Sequence, residues 1–390
     1  LFSDNQTQEV RMSFPGSRFR VVLGLMALML VGLGLLIADN GPNHQVRTLS
    51  FGSSGGNIND ATKAFCCSGT LGSLVKDSSN AQYILSNNHV LARADQAASG
   101  EDISQPGLID NNCQPGTIVG DFTVAPQLGS NVDAALAALR SGTMDSAGSI
   151  LDVGVPHSSP LAASVGLAVA KSGRTTGLTC GSIQSTNTSV KVQYQQGCNK
   201  GKKFTISYTN QVVVGSGAFS AGGDSGSLIV SQSAAHPTAL LYAGSSSTTI
   251  GNPISEVLAQ TSSSLGKQVS FVGSSTRTTN VACPAGGAST TAHGRPSQTG
   301  MDRAAAAKEA HAQRLMVDPA ILAVGVGVSE KNPSQAVVNV YVQTGRAHAP
   351  IPSQLNGVRT QVFRTDLIRA YGWNRSKNEP VNDSCSAKPR

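Results

Sequence analysis

The sequence predicts a mainly β protein that ends in a small α+β unit, and three observations carry the prediction. Only 13% of residues are charged and 42 of 390 are glycine, whereas ordinary soluble domains are roughly 25% charged. Ser and Thr are plentiful as well, a composition of short strands and many turns. Short apolar runs recur ahead of residue 272, among them Ala81–Leu91, Val212–Val214 and Leu228–Val230. The texture then changes after Phe271, where Ser, Thr, Gly, Ala and Pro replace the apolar runs. The length admits two domains, or one large domain with an appendage.

At the N-terminal end, Arg11, Arg18 and Arg20 precede residues 21–38, an 18-residue stretch without a charge. Residues 1–44 therefore read as an export signal or an N-terminal membrane anchor. Cleavage after Ala38 would put Leu36 where a small residue is preferred, so an uncleaved anchor with its basic end in the cytoplasm is favoured. Either way, the chain beyond residue 44 is expected outside the cytoplasmic membrane, with 21–38 as the membrane contact.

Seven cysteines suit an oxidising compartment. Cys180 and Cys198 are the expected pair at a hairpin whose strands include Ser189–Tyr194. Cys113 is expected to reach Cys66 or Cys67, and Cys283 to reach Cys385. No Cys-x-x-Cys or His/Cys cluster argues for a metal, and Gly325–Val328 is too short and strand-like for a dinucleotide loop, so no cofactor is expected. Between Gln45 and Ser270 there are 12 basic and 12 acidic residues; from Met301 onward there are 12 and 7. The excess is scattered and not interleaved with aromatics, which argues against nucleic acid as a partner.

The chemistry centres on Ala221-Gly222-Gly223-Asp224-Ser225-Gly226-Ser227, entered from Val212–Val214 and left through Leu228–Val230. A serine between glycines, with strands on both sides, suits a nucleophile on a tight turn. The backbone N–H groups of Gly223 and Ser225 can point at one spot and bind an oxyanion. Upstream, a short apolar strand runs into His89, and Asp133 leads into a second apolar segment. Forty-four residues separate His89 from Asp133, and 92 separate Asp133 from Ser225. A serine hydroxyl needs a neighbouring base, and the base needs an acceptor to fix its tautomer. His89, Asp133 and Ser225 supply one of each.

These segments resemble the trypsin-like, chymotrypsin-fold serine proteases of bacterial type. The resemblance runs from Phe65 to Val272 through Cys67-Ser68-Gly69-Thr70-Leu71, Asn88-His89-Val90, Val132-Asp133-Ala134-Ala135-Leu136, Ser172-Gly173-Arg174-Thr175-Thr176-Gly177 and Gly223-Asp224-Ser225-Gly226-Ser227. It implies two six-stranded antiparallel barrels with the catalytic groups between them, and an exported endopeptidase acting on a protein or peptide substrate. It also implies that Phe219, six residues before the nucleophile, lies at the base of the substrate pocket. Gly244 and Ser245 would form a pocket wall that pairs with substrate backbone.

Departures accompany the match. Asn87-Asn88 precede the histidine, no cysteine follows it, and no Ile-Val-Gly-Gly-like segment follows a basic cleavage site, so activation by a freed amino terminus is not supported. Asp110 and Asp121 are rival acids. Of the other histidines, His44, His293, His311 and His348 fall outside the matched region, and His157 and His236 sit beside prolines. An α/β-hydrolase elbow would need glycine at position 227, which is Ser.

Residues 45–273 are thus the expected protease domain and 274–300 a linker. In the C-terminal unit, 301–373, a helix is expected over Asp302–Met316. Strands are expected at Ile321–Val328, Ala336–Val342 and Val358–Phe363, and a short helix at Asp366–Tyr371. Residues 374–390 form a tail. Two alternatives to a free protease are a silent protease-fold binding module and a protease autoinhibited by its C-terminal unit.

Overall fold

The computed structural model describes residues 44–62, 65–198, 201–215, 217–284, 296–370 and, as backbone, 385–387. The expected signal or anchor at 21–38, the middle of the linker and most of the tail lie outside the described residues. No helix among the described residues is long and apolar enough to cross a membrane.

The chain begins with β1 (Ser53–Asn57), β2 (Phe65–Cys67), β3 (Gly69–Leu71), β4 (Ser73–Asp77) and β5 (Gln82–Ser86). A single helical turn, α1 (Asn88–Leu91), precedes β6 (Asp102–Gln105), β7 (Thr117–Val124) and β8 (Ala135–Leu139). β3 and β4 are halves of one strand, broken at Gly72. A Cβ on Gly72 would lie 1.9 Å from the Gly226 carbonyl oxygen, so only glycine lets the serine turn pass this close. β3 pairs with β1 and β4 with β5, and the order continues β5-β8-β7-β6-β1. Counting β3 and β4 as one strand, that path closes a six-stranded antiparallel barrel. Leu71, Leu74, Ile84, Ile103, Val119 and Leu136 fill it, each fully buried.

The second barrel has β9 (Ala168–Gly173), β10 (Gly177–Gln195), β11 (Lys203–Gly215), β12 (Leu228–Ser231), β13 (Pro237–Gly244) and β14 (Thr248–Pro253). Its pairings run β9-β10-β11-β14-β13-β12 and return to β9, a second closed ring of six. The inward residues of β10 alternate, with Ile183, Val190, Val192 and Tyr194 all buried, as a strand period of two requires. α2 (Ile254–Leu265) ends at Gly266 in the left-handed conformation, and β15 (Val269–Phe271) returns to pair with β4. The protein is mainly β and has the chymotrypsin fold.

The C-terminal segment continues the second barrel's sheet. α3 (Gln298–Leu315) is capped by Ser297, whose Oγ accepts from Gly300 N. β16 (Ile321–Val328) pairs with β10 through Ser185–Val190, and β17 (Ala336–Gln343) pairs with β16. β18 (Gln354–Leu355) and β19 (Val358–Thr365) form a hairpin whose second strand runs parallel to β17. The helix expected at Asp366–Tyr371 is not formed; Arg369–Ala370 is a strand, β20, paired with both β10 and β13. Burial of Ile368 and Ala370 against the barrel overrides local helix propensity. β21 (Cys385–Ala387) pairs with β2.

Three disulfides are present among the described residues: Cys66–Cys113, Cys67–Cys198 and Cys180–Cys283. The first agrees with one of the two expected options for Cys113. The expected Cys180–Cys198 bond is corrected, because the two residues lie at opposite ends of β10. Each is bonded to another partner, Cys180 to Cys283 and Cys198 to Cys67. Cys283 is taken by Cys180, which also removes the expected Cys283–Cys385 bond. Cys67–Cys198 ties the tip of the β10–β11 hairpin to the first barrel.

Candidate active site

β5 and β8 are antiparallel neighbours, with Ser86 opposite Ala135. His89 comes just after the end of β5 and Asp133 just before the start of β8, so the register alone brings them to the same end of the barrel. His89 Nδ1 lies 2.6 Å from Asp133 Oδ2, and the His89 backbone N–H donates to Asp133 Oδ1 at 3.2 Å. Asp133 is fully buried, and its own N–H donates to Asn252 Oδ1 while Asn87 Nδ2 donates to its carbonyl. The departure at Asn87 therefore has a role: it pins the acid's backbone.

A further group reaches the carboxylate. The Tyr194 hydroxyl donates to Asp133 Oδ2 at 2.9 Å and lies 2.7 Å from the Tyr208 hydroxyl. Burial, and next the Asp133 charge, push the Tyr194 hydroxyl's pKa well above the ordinary phenol value. It stays a donor wherever the carboxylate is charged. The alternation of β10 marks Tyr194 as inward-facing, but no local pattern in the sequence shows which carboxylate it meets.

The serine turn is held from both barrels. Gly223 and Gly226 have φ of +94° and +95°, conformations that favour glycine. From the first barrel, Thr70 Oγ1 donates to the Gly223 carbonyl and accepts from Arg174 N, and Thr70 N donates to the Ser225 carbonyl. From the second, Asp224 accepts from the backbone of Ala221, Thr175 and Thr176 and from Thr176 Oγ1. Lys171 Nζ lies 3.4 Å from Asp224 Oδ2, and both side chains are fully buried. Burial lowers the Lys171 pKa, opposed by the Asp224 charge. This cation is built into β9, so the carboxylate under the turn has a partner without a freed amino terminus.

Gly69 lies between the histidine turn and the serine turn. A Cβ there would stand 2.6 Å from Val90 Cγ2 and 3.0 Å from the Ser225 carbonyl oxygen. Ser225 Oγ and His89 Nε2 are both buried, and neither has a hydrogen-bond partner among the described residues. The amides of Asp224 and Gly226 donate to Ala221 and Leu241, whereas those of Gly223 and Ser225 engage no acceptor among the described residues.

The rivals are engaged elsewhere. Asp110 forms a two-pronged, buried ion pair with Arg174, and Asp121 pairs with Arg140. His44 Nε2 lies 2.9 Å from Asp152 Oδ2, and the His157 and His236 rings stack on each other. Phe219, expected at the base of the substrate pocket, has its ring fully buried in the second barrel's core with Val169, Ile183, Val212 and Val214. A side chain with an apolar cluster behind it packs inward in preference to facing an open cleft. Gly244 pairs with Arg369, and Ser245 Oγ bonds Thr248 and Thr365. The carboxylate of Asp60 and the sulfurs of Cys67 and Cys198 lie within 4.8 Å of one another, but those sulfurs are bonded to each other and so are no ligand pair. Burial, opposed by Arg93 and His89, pushes the Asp60 pKa up to about 7.

The class defined by this fold is that of two-barrel chymotrypsin-like chains, with an Asp–His pair and a serine turn at the junction of the barrels. Solved structures of that class are similar to this chain. A glutamic acid-specific serine protease shares 22% identity at a TM-score of 0.38, covering 53% of this chain and 97% of its own. Protease A of Thermobifida fusca shares 19% at 0.36, covering 56% and 98%. A Cellulomonas bogoriensis chymotrypsin shares 20% at 0.35, covering 57% and 98%. No family model and no curated protein matches the sequence.

Proposed function

We propose that this protein is an exported serine endopeptidase. The observation that carries the proposal is the hydrogen bond of His89 to the fully buried Asp133, beside a glycine-flanked Ser225 whose hydroxyl has no hydrogen-bond partner among the described residues, His89 Nε2 included. In this mechanism His89 Nε2 takes the Ser225 hydroxyl proton while Oγ attacks the scissile carbonyl. The Gly223 and Ser225 amides hold the resulting oxyanion, and Asp133 stabilises the imidazolium through Nδ1. His89 then gives the proton to the leaving amine. Water, deprotonated by His89, hydrolyses the acyl-enzyme and frees Ser225.

Export is supported by three disulfides in the described residues and by the basic residues preceding the uncharged stretch at 21–38. An alkaline phosphatase fusion after Asn43 should be active in a bacterial host; an active cytoplasmic reporter at that position would overturn export. For the chemistry, a fluorophosphonate probe should label Ser225, and the protein should hydrolyse casein. Ser225→Ala and His89→Ala should each remove both signals, because the two residues act as a unit. Full casein turnover by purified Ser225→Ala would sink the assignment.

A further inference from the structure

The two neighbours of β13 separate just beyond Leu241. On one side Gly226 N donates to the Leu241 carbonyl, and the chain of β12 bends away into the Ser225 turn. On the other side β14 stays paired, with Ala243 opposite Ile250 and Gly244 opposite Thr249. The edge that the serine turn vacates is therefore open at Ala243–Gly244, roughly 7 Å along the strand from Leu241 at strand rise. A peptide adding itself to that edge would run beside the nucleophile.

The edge is filled by the chain's own C-terminal segment. Ala370 and Arg369 pair antiparallel with Ala243 and Gly244. The opposite side of the same segment lies on β10, where Gln193 N donates to the Ile368 carbonyl at 3.0 Å. Side chains add to the docking: Ser246 Oγ donates to Asp366 Oδ2 at 2.5 Å, and Ser247 Oγ to Thr365 Oγ1 at 3.0 Å. Ile368 is fully buried in an apolar cluster that includes Tyr194, Tyr208 and Tyr242. The same cluster includes Tyr194, the tyrosine that holds Asp133.

Resting on the protease reading, we infer that Thr365–Ala370 is an intramolecular occupant of the peptide-binding edge. It restrains hydrolysis, and the seat of Ile368 selects an aliphatic side chain in an extended peptide substrate. Strand addition explains the form of the contact, with main-chain bonds supplying attachment and one side-chain seat supplying choice. A bound tail also lowers apparent substrate affinity by the fraction of molecules in which the edge is covered.

The test uses the full chain, Asp366→Ala and Ile368→Asp. Each is assayed with a small fluorophosphonate, which needs no strand edge, and with fluorogenic hexapeptides that vary one residue among Ile, Val, Lys and Asp. Labelling should be similar in the full chain and Asp366→Ala, and should remain detectable in Ile368→Asp. Hydrolysis of the Ile and Val peptides should rise several-fold in Asp366→Ala and further in Ile368→Asp. Should Ile368→Asp not fold, the synthetic peptide Thr-Asp-Leu-Ile-Arg-Ala should inhibit Asp366→Ala, and its Asp-for-Ile counterpart should not. Labelled proteins with equal hydrolysis, and no inhibition by the peptide, would overturn the restraint. Hydrolysis that rises without preference for Ile and Val would overturn the aliphatic seat. A full chain that is never labelled would overturn the protease reading instead.

Discussion

The Tyr194 hydroxyl lies 2.9 Å from Asp133 Oδ2, the same oxygen that faces His89 Nδ1. Two donors on one carboxylate oxygen hold it on the axis of the imidazole, and Tyr208 restrains the tyrosine donor. Tyr194→Phe should lower kcat by about tenfold, equivalent to roughly 1.4 kcal/mol, with KM close to that of the parent. The fluorophosphonate labelling rate should fall in parallel. Unchanged kcat in a variant that melts like the parent would assign Tyr194 to packing alone.

Lys171 and Asp224 form a buried pair beneath the serine turn. Removing one member of such a pair leaves an uncompensated charge and costs about 3–5 kcal/mol. Lys171→Met should therefore lower the melting temperature and slow probe labelling together. A variant with parental Tm would show that the hydrogen bonds to Asp224 suffice without the cation.

Asp60 should make stability depend on pH. Its pKa is raised from 3.8 to about 7, so folding favours the protonated carboxyl. The stabilisation is fully present below the unfolded value and is lost as pH rises through about 7. Asp60→Asn, which stays neutral, should match the parent in acid and gain stability over it towards pH 7, with a constant gap at higher pH. Denaturant melts across that range measure the effect; a gap that does not grow would show the carboxyl to be solvated.

Ending the chain at Gly273 should destabilise the second barrel. The cut removes Cys283, the partner of Cys180, and uncovers the β10 edge that β16 occupies. It also strips Leu322, Tyr341 and Ile368 from the cluster that buries Tyr194 and Tyr208. Aggregation on a sizing column, or a clearly lower Tm, is the expected result. A soluble chain with the parental melting curve would show that the barrel holds without its extension. Loosening residues 365–370 in the full chain is a different perturbation, because β16 and the disulfide remain.

The class of fold and the residues of the candidate site were legible in the sequence because each demands a local signature. Short apolar runs separated by glycine-rich turns specify strands, and the residues around Ser225 need positive φ at Gly223 and Gly226. His89 and Asp133 could be chosen over their rivals because each sits at the end of an apolar strand, and adjacent antiparallel strands bring such ends together. The C-terminal helix and strands were legible for the same reason, since Ile321–Val328 and its neighbours carry their own apolar pattern.

Tertiary structure decided everything that depends on which distant surfaces meet. Cys198 bonds Cys67 rather than Cys180 because β10 is long enough to carry its tip to the first barrel. Tyr194 reaches Asp133 for the same geometric reason, and Phe219 turns into the core because an apolar cluster awaits it there. Residues 366–370 extend instead of coiling because an unfilled strand edge and an apolar seat for Ile368 outweigh a local helical preference. Local backbone preference is written in neighbouring residues, whereas pairing partners are set by the burial and hydrogen bonding of groups far apart along the chain.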